Sequence, residues 1–216
     1  MFCYCFKNNV VPSDWGKAII TPIPKGSSKN PYLPLSYRGI SLLPCISKIY
    51  TNILNSRITF YLESENLLAD EPNGFMGERS CEDHVFSLAT LIQNRFHSGK
   101  DTYVAFVDFS KAFDSVNRTL LFHKLLNYNI NGNIYMAIKK LHSNTLNCIR
   151  VNNVYTRWFP SFYGVRQGDS LSPTLFSIFL NDLANLIKSE KLGIDIGSKN
   201  IGILMYADGR GFDSRG

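Results

Sequence analysis

Apolar residues recur at helical spacing in several stretches of this chain. Between Ile46 and Glu65 they return every three or four positions, which predicts a long amphipathic helix. Ser80 and Asp83 have the spacing of a capping box, so we expect a second helix that starts there and ends at Gly99. The same pattern predicts helices near 118–129 and 133–143.

Two apolar runs lack this spacing and predict buried strands. The first is Tyr103 to Val116, in which the strand-like part from Tyr103 to Val107 leads to Asp108, and the second is Ile201 to Asp208, which ends in Asp208. Two carboxylates presented together at a sheet edge can hold a pair of Mg²⁺ ions roughly 4 Å apart. Taken alone, each aspartate also fits a turn or a cap.

Turn residues and helix caps complete the predicted elements. The asparagines in Val151-Asn152-Asn153-Val154 tolerate positive φ and predict a hairpin. Ser172 and Pro173 predict an N-cap and first position of a helix. The buried stripe expected on that helix consists of Leu175, Phe179, Leu183, Leu186 and Ile187. The stretch from Pro24 to Pro34 predicts a loop.

Composition fits one globular unit with a nucleic-acid partner. The 216 residues are 44% hydrophobic, with a net charge of +6 and a pI near 9.0, which suits contact with phosphates. The five cysteines are scattered, so neither a zinc site nor a disulfide framework is indicated, and we expect reducing, intracellular conditions. Because the apolar stretch at the N-terminus is short and no run of about 18 apolar residues occurs, we expect neither a signal peptide nor a membrane span.

Several motifs occur in an order that is informative as a set. YVAFVDFSKAFDSV (103–116), GVRQGDSLSPTLFSIFLNDL (164–183) and YAD (206–208) resemble the palm motifs of reverse transcriptases, above all those of non-LTR (LINE-type) retrotransposons. The segments at 13–26, 36–50 and 73–85 are similar to the finger and upper-palm blocks of that family. The resemblance therefore covers nearly the whole chain.

The resemblance implies an α+β fold, the fingers and palm of a right-hand polymerase, with an antiparallel palm sheet packed on helices. Residues 1–100 would be mostly fingers and 101–208 mostly palm. Family members continue Y-A-D with a second aspartate and a return strand, whereas Gly209 and a glycine-rich tail to Gly216 follow here. We therefore expect 209–216 to be an aberrant tail on a truncated domain from which the thumb is absent.

The resemblance also implies a catalytic centre. Asp108 and Asp208 would bridge two Mg²⁺ ions, with the main-chain carbonyl of Phe109 as a further ligand. Phe113 matches the ring under the incoming sugar, which excludes a 2′-hydroxyl and favours deoxynucleotides, although it also fits a core position. For Asp114 we expect helix capping or a salt bridge.

Other residues would contact nucleotide and template. Gln167 and Gly168 resemble the element at the nascent base pair, where glycine permits close approach of backbone to ligand. Lys25, Arg38 and Arg79 are candidates for phosphate contact, with ordinary surface placement as the alternative. Gly39 and Met76 replace a proline and an arginine that are common in these family blocks.

The predicted function is that of an RNA-directed DNA polymerase fragment, inactive as this chain. Its partners would be an RNA template, a DNA primer and deoxynucleoside triphosphates, and an intact relative would act in the nucleus. The alternatives are a non-catalytic RNA- or DNA-binding remnant and a translated pseudogene fragment. An RNA-dependent RNA polymerase should carry a small or polar group in place of Phe113.

Overall fold

The fold combines helices with a sheet, as predicted. A computed structural model describes residues 1–26, 30–68, 81–190, 193–196 and 199–205. The helices are α1 (Phe2–Asn8), α2 (Cys45–Ser64), α3 (Cys81–His97), α4 (Ala112–Ser115), α5 (Arg118–Asn127), α6 (Gly132–Ser143) and α7 (Ser172–Ser189). The strands are β1 (Lys17–Pro24), β2 (Tyr37–Leu42), β3 (Leu146–Val151), β4 (Val154–Tyr155), β5 (Phe159–Pro160), β6 (Ile194–Ile196) and β7 (Lys199–Ile201). Two 3₁₀ turns lie at Ser13–Gly16 and Pro34–Ser36.

The main sheet has five strands. β1 lies between β2, which is antiparallel to it, and β3, which is parallel to it; β4 and β5 both pair antiparallel with β3. The expectation of an antiparallel sheet is therefore wrong for this sheet, which is mixed. The parallel pair arises because helices α2 to α6 separate β1 from β3 in sequence, and a long crossover of that kind lets two strands run in the same direction.

Two apolar clusters lie among the helices. The larger one packs α2, α5, α6 and α7 together through fully buried side chains, among them Ile58, Leu121, Leu125, Ile138 and Leu175. The smaller cluster joins α1 and the first 3₁₀ turn to α2 and α6. It includes Cys5, Trp15, Tyr50, Leu54 and Leu141.

The helical pattern predicted most of the helices well. The long helix is α2, and the helices expected near 118–129 and 133–143 are α5 and α6. The second predicted helix is α3, and Gly99 follows its end with φ 64°. Its proposed capping residue Ser80 lies outside the described residues, as does part of the Pro24–Pro34 loop.

The predicted stripe on α7 is wrong in two of its five members. Leu183 and Leu186 are exposed, the latter at 57%, whereas Leu175 is buried, Phe179 packs against the larger cluster and Ile187 is half-buried. The buried side also has Ile178 and Ala184. The helix is apolar on more than one side, so its sequence spacing fits two faces, and contact with α5 selects one of them. The N-cap is Leu171, one residue earlier than predicted, and Ser172 instead donates a hydrogen bond to the Arg166 carbonyl (2.6 Å).

The strand predicted from Tyr103 to Val107 is also wrong. Residues 101–109 have no strand assignment, and Tyr103 and Phe106 are 92% and 87% exposed. A strand needs neighbouring main-chain groups to satisfy its own, and this segment pairs with no described strand. The β-favouring residues of this segment therefore do not form a strand without a paired neighbour.

The last predicted strand is partly described. Ile201 belongs to β7, which pairs with β6, while residues 202–204 have no strand assignment and Met205 forms an isolated bridge. The hairpin is confirmed, because Val151 pairs with Val154 across Asn152 (φ 47°) and Asn153 (φ 63°). Positive φ at both central residues is the geometry of a type I′ turn.

Candidate functional site

A cleft of about 150 Å³ separates the main sheet from the segment 161–167. Residues 18 and 20 of β1 and 39 and 41 of β2 face it, as their alternation along paired strands requires. Its lining residues are Gly16, Ala18, Ile20, Gly39, Ser41, Leu43, Asp114, Arg118, Thr145, Asn147, Ser161, Tyr163, Val165, Arg166 and Gln167. The cleft thus brings one of the predicted site residues, Gln167, against Asp114.

The segment around Gly164 lies directly on the short helix α4. The Gly164 amide donates to the Val116 carbonyl (2.8 Å) and the Val165 amide to the Phe113 carbonyl (2.9 Å). Gly164 has φ 82°, and a Cβ there would lie 2.8 Å from both the Asp114 Cα and the Phe113 oxygen. Only glycine fits this conformation and this close approach.

One side-chain contact continues this connection into the cleft. Gln167 Nε2 donates to the Asp114 carboxylate, at 3.2 Å from Oδ1 and 3.4 Å from Oδ2. Partial burial raises the pKa of Asp114, while Lys111 and the hydrogen bond from Gln167 oppose that shift. The expectation for Asp114 is corrected: its carboxylate accepts from Gln167, and no ion pair involving it occurs among the described residues.

Arg118 forms the most extensive polar contact beside the cleft. Its buried guanidinium donates to the carbonyls of Gly164 (2.7 Å), His142 (2.7 Å), Ser161 (2.8 Å) and Tyr163 (3.0 Å), and to the Thr145 hydroxyl (2.9 Å). Burial, together with the nearby charge of Arg166, lowers the pKa of Arg118 to about 10. This one side chain therefore joins the start of α5, the end of α6 and the segment that leads to Gln167.

Arg166 is buried on the other side of the same segment. It donates to the Trp15 carbonyl and to the Ser47 hydroxyl (3.3 Å), and lies 3.6 Å from the Asp169 carboxylate. Burial lowers the pKa of Arg166, and Asp169 opposes that shift. In the sequence Arg166 is one member of the 164–183 motif, and these contacts make it the link between residues 164–169 and the first 3₁₀ turn.

His142 lies in the interior next to Arg118. Its Nδ1 is 2.9 Å from the Ile138 carbonyl, a contact that requires the proton on Nδ1, and its Nε2 has no partner among the described residues. Burial lowers the pKa of His142 to about 3; the hydrogen bond to Ile138 opposes the shift, and the charges of Arg118 and Arg166 add to it. The ring is therefore neutral at physiological pH.

The structure places the predicted metal ligands only in part. Asp108 is exposed, in the segment that has no strand, and Phe109 follows it on the surface. Asp208 lies outside the described residues. Within the described ranges no group of three His, Cys, Asp or Glu side chains is arranged to hold a metal ion, so the metal-binding role of Asp108 stays a prediction.

The predicted sugar-contacting ring is half-buried. Phe113 packs on Phe176 of α7, with ring centroids 5.1 Å apart, at the border of the larger core cluster. Gly168, predicted with Gln167 to lie at the nascent base pair, has φ 78°, and a Cβ there would lie 3.1 Å from the Ser41 carbonyl oxygen. The close approach that a glycine permits here is therefore to β2 of the chain itself.

Two of the three candidate phosphate-binding cations lie together at one end of the β1–β2 pair. Arg38 is opposite Ile23, and the Lys25 amide donates to the Ser36 carbonyl (2.9 Å), so alternation places both side chains on one face. Both are exposed. Arg79 lies outside the described residues.

Sequence reasoning missed Arg118 as a contributor to the site. It follows the predicted motif directly, at the start of α5, where a charged residue reads as an ordinary solvent-facing position. Its carbonyl partners come from residues 142–164, and such contacts leave no side-chain pattern in the sequence.

Comparison with protein families agrees with this arrangement of motifs. A family described as reverse transcriptase (RNA-dependent DNA polymerase) matches residues 23–209 of this chain. That region includes both segments that meet at Gly164, both predicted metal-binding aspartates and the cleft-lining residues from Gly39 onward, whereas Gly16, Ala18 and Ile20 precede it. It covers well over half of the chain.

Individual relatives point the same way. The chain is 30% identical, over 80% of its length, to a probable RNA-directed DNA polymerase from transposon BS of Drosophila melanogaster. It is 29% identical over 92% of its length to a retrovirus-related Pol polyprotein from a type-1 retrotransposable element R2 of Popillia japonica. The matches span 19% and 27% of those two proteins, so the chain corresponds to a minor part of each.

Proposed function

We propose, because this chain belongs to the reverse transcriptase family, that it forms the fingers and palm of a retrotransposon RNA-directed DNA polymerase. Residues up to about 100 would be mostly fingers and residues 101–208 mostly palm. The observation that carries the proposal is the direct connection between α4 and the segment 164–167. It holds Phe113, the residue proposed to contact the sugar, next to Gln167, the residue proposed to contact the nascent base pair.

The proposed substrates are an RNA template, a DNA primer and deoxynucleoside triphosphates. Gln167 and Gly168 would contact the nascent pair, and Phe113 would exclude a 2′-hydroxyl. Lys25, Arg38 and Arg79 would contact phosphates. Lys25 and Arg38 are exposed on the face of the β1–β2 pair opposite the one that lines the cleft, so the phosphates that they contact would lie outside the cleft.

Asp108, the Phe109 carbonyl and Asp208 would hold the metal ions, and Mg²⁺ suits such oxygen ligands. When bound, two such ions align the attacking hydroxyl and the phosphate for in-line transfer. Gly209 stands where the resemblance expects a further carboxylate, so we propose that this chain binds nucleic acid but synthesises little DNA. An intact relative would carry out the reaction in the nucleus.

RNA binding is the first test. The affinity of the purified chain for a single-stranded RNA should fall as salt rises, with a log–log slope of about −0.7 per neutralised phosphate. Lys25→Ala and Arg38→Ala should each weaken binding and flatten that slope, whereas Lys140→Ala, an exposed cation on α6, should do neither. Equal behaviour of all three variants would contradict the proposed phosphate contacts.

Primer extension separates binding from catalysis. With Mg²⁺, an RNA template and a DNA primer, the chain should incorporate no more nucleotide than its Asp108→Asn variant. Robust synthesis that Asp108→Asn abolishes would show that the chain is an active polymerase and would overturn the proposal of a binding fragment. RNA affinity without synthesis is the expected result.

A further inference from the structure

The pairing of Gln167 with Asp114 fixes which end of the Gln167 amide faces the ligand. A carboxylate has only acceptor oxygens, so the group that meets it must be the Nε2 amino group and not Oε1. Because Oε1 and Nε2 diverge from the same carbon, Oε1 then points away from Asp114. No described residue donates a hydrogen bond to Oε1.

We propose that Asp114 is a positioning residue that orients the Gln167 amide, so that the cleft presents a hydrogen-bond acceptor to its ligand. The ligand group that meets Gln167 would then be a donor, such as a hydroxyl or an amino group. That this ligand is a nucleotide or a nucleic acid rests on the proposed function. The orientation itself does not.

The main chain around both residues makes this contact rigid. The two backbone hydrogen bonds at Gly164 and Val165 fix α4 against the start of the segment that carries Gln167. The Arg118 guanidinium donates hydrogen bonds to the carbonyls of residues 161, 163 and 164, which lead to Gln167. The Asp114 carboxylate therefore meets Gln167 from a fixed position, and its charge state decides which amide orientation is favoured.

Protonation of Asp114, or its replacement by asparagine, removes this selection. Either group can donate a hydrogen bond as well as accept one, so the Gln167 amide is then free to turn by 180°. Burial raises the pKa of Asp114, which moves the transition toward less acidic pH. Lys111, the N-cap residue of the same short helix, lowers the pKa of Asp114, and Arg118 and Arg166 line the same cleft.

The sequence allows a direct spectroscopic test, because it contains only two glutamines, Gln93 and Gln167. In a chain labelled with ¹⁵N-glutamine, the side-chain region of the NMR spectrum should show two NH₂ pairs. Gln167→Glu removes one pair and so assigns both. Gln93 is exposed on α3 and serves as an internal reference.

The Gln167 pair should shift along a titration curve whose midpoint lies above the usual aspartate range of about 4, while the Gln93 pair stays fixed. Asp114→Asn should abolish that titration. Asp101→Asn, which neutralises another exposed carboxylate, should preserve it. A Gln167 pair that shows no titration, or one that titrates equally in Asp114→Asn, would overturn the proposal.

This measurement needs neither RNA nor nucleotide. A chain that fails to bind RNA yet shows the Asp114-dependent titration retains the proposed orientation and loses only the proposed function. A chain that binds RNA but lacks the titration retains the proposed function and loses the role of Asp114.

Discussion

The polar contacts at the site depend on a few buried charged side chains. Among the residues that the structure describes, Arg118 donates only to neutral oxygens, four main-chain carbonyls and one hydroxyl. Nη1 meets three of these oxygens, and Nε and Nη2 meet one each. Such an arrangement needs N–H donors on three nitrogens in one plane, a geometry that the guanidinium has and the lysine ammonium lacks. The site therefore requires the shape of the arginine side chain as well as its charge.

Replacing Arg118 should lower the stability of the folded chain. Arg118→Met should lower the free energy of unfolding by about 3 kcal/mol or more, because it leaves several buried carbonyls without a donor. Arg118→Lys should rescue only a small part of this loss. Urea denaturation measures both variants, and Arg157→Lys, at an exposed position, is the matched control with little expected change. A loss below about 1 kcal/mol for Arg118→Met would contradict this prediction.

His142 should make the fold sensitive to acid. Its pKa is about 3 in the folded chain and near 6.5 when unfolded, so between these values the unfolded state binds the extra proton. Stability contributed by the neutral ring is complete above pH 6.5 and is lost as the pH falls, by up to about 1.4 kcal/mol per pH unit.

The measurement is the free energy of unfolding from pH 7 to pH 4. His142→Asn keeps a donor toward the Ile138 carbonyl but does not titrate, so its stability should depend less steeply on pH than that of the wild type. His123→Asn, on the exposed side of α5, should leave the slope unchanged. Parallel curves for the wild type and His142→Asn would exclude the histidine as the source.

At the scale of elements, the β3–β4 hairpin depends on its two-residue turn. Asn153 has φ 63°, which asparagine tolerates and β-branched residues do not. Asn153→Gly should be neutral or slightly stabilising, whereas Asn153→Val should cost about 1–2 kcal/mol. Thermal unfolding tests both, with Val154→Ile in the adjoining strand as the control. Equal stability of the glycine and valine variants would contradict the turn geometry.

Local signals account for what could be predicted of these elements. Helical spacing gave α2, α5 and α6, and two consecutive asparagines gave the hairpin, because in each case the determining contacts are near in sequence. The parallel pairing of β1 with β3 and the buried side of α7 depend on distant partners and could not be predicted. At the site, motif order identified Gln167, whereas its contact with Asp114 required the turn at Gly164.

For the whole molecule, the notable property is the amount of apolar surface. Tyr103, Phe106 and Val107 are almost fully exposed in one short segment, and Phe86 and Phe96 are exposed along α3. Monomeric proteins rarely expose large contiguous apolar patches, and the exposed residues from Tyr103 to Val107 are contiguous in sequence. The purified chain should therefore bind hydrophobic dyes while folded and should self-associate.

This expectation can be tested by substitution. Tyr103→Ser combined with Phe106→Ser should reduce dye binding and self-association with little change in thermal stability, since neither side chain is buried. Leu125→Ser, in the core, should unfold the chain and raise dye binding. Light scattering and dye fluorescence measure both effects. Unchanged self-association of the double variant would show that Tyr103 and Phe106 do not form the surface through which the chains associate.

The pairing of residues 17–20 with residues 146–149 also has a consequence for biosynthesis. Chains are synthesised from the N-terminus at about 5–20 residues per second, so β1 leaves the ribosome roughly 6 to 26 s before its parallel neighbour. Throughout that interval β1 has only β2 beside it, with one open edge that invites wrong partners. The nascent chain therefore exposes an unpaired strand edge during this interval, and its yield in cells should depend on how fast it is translated.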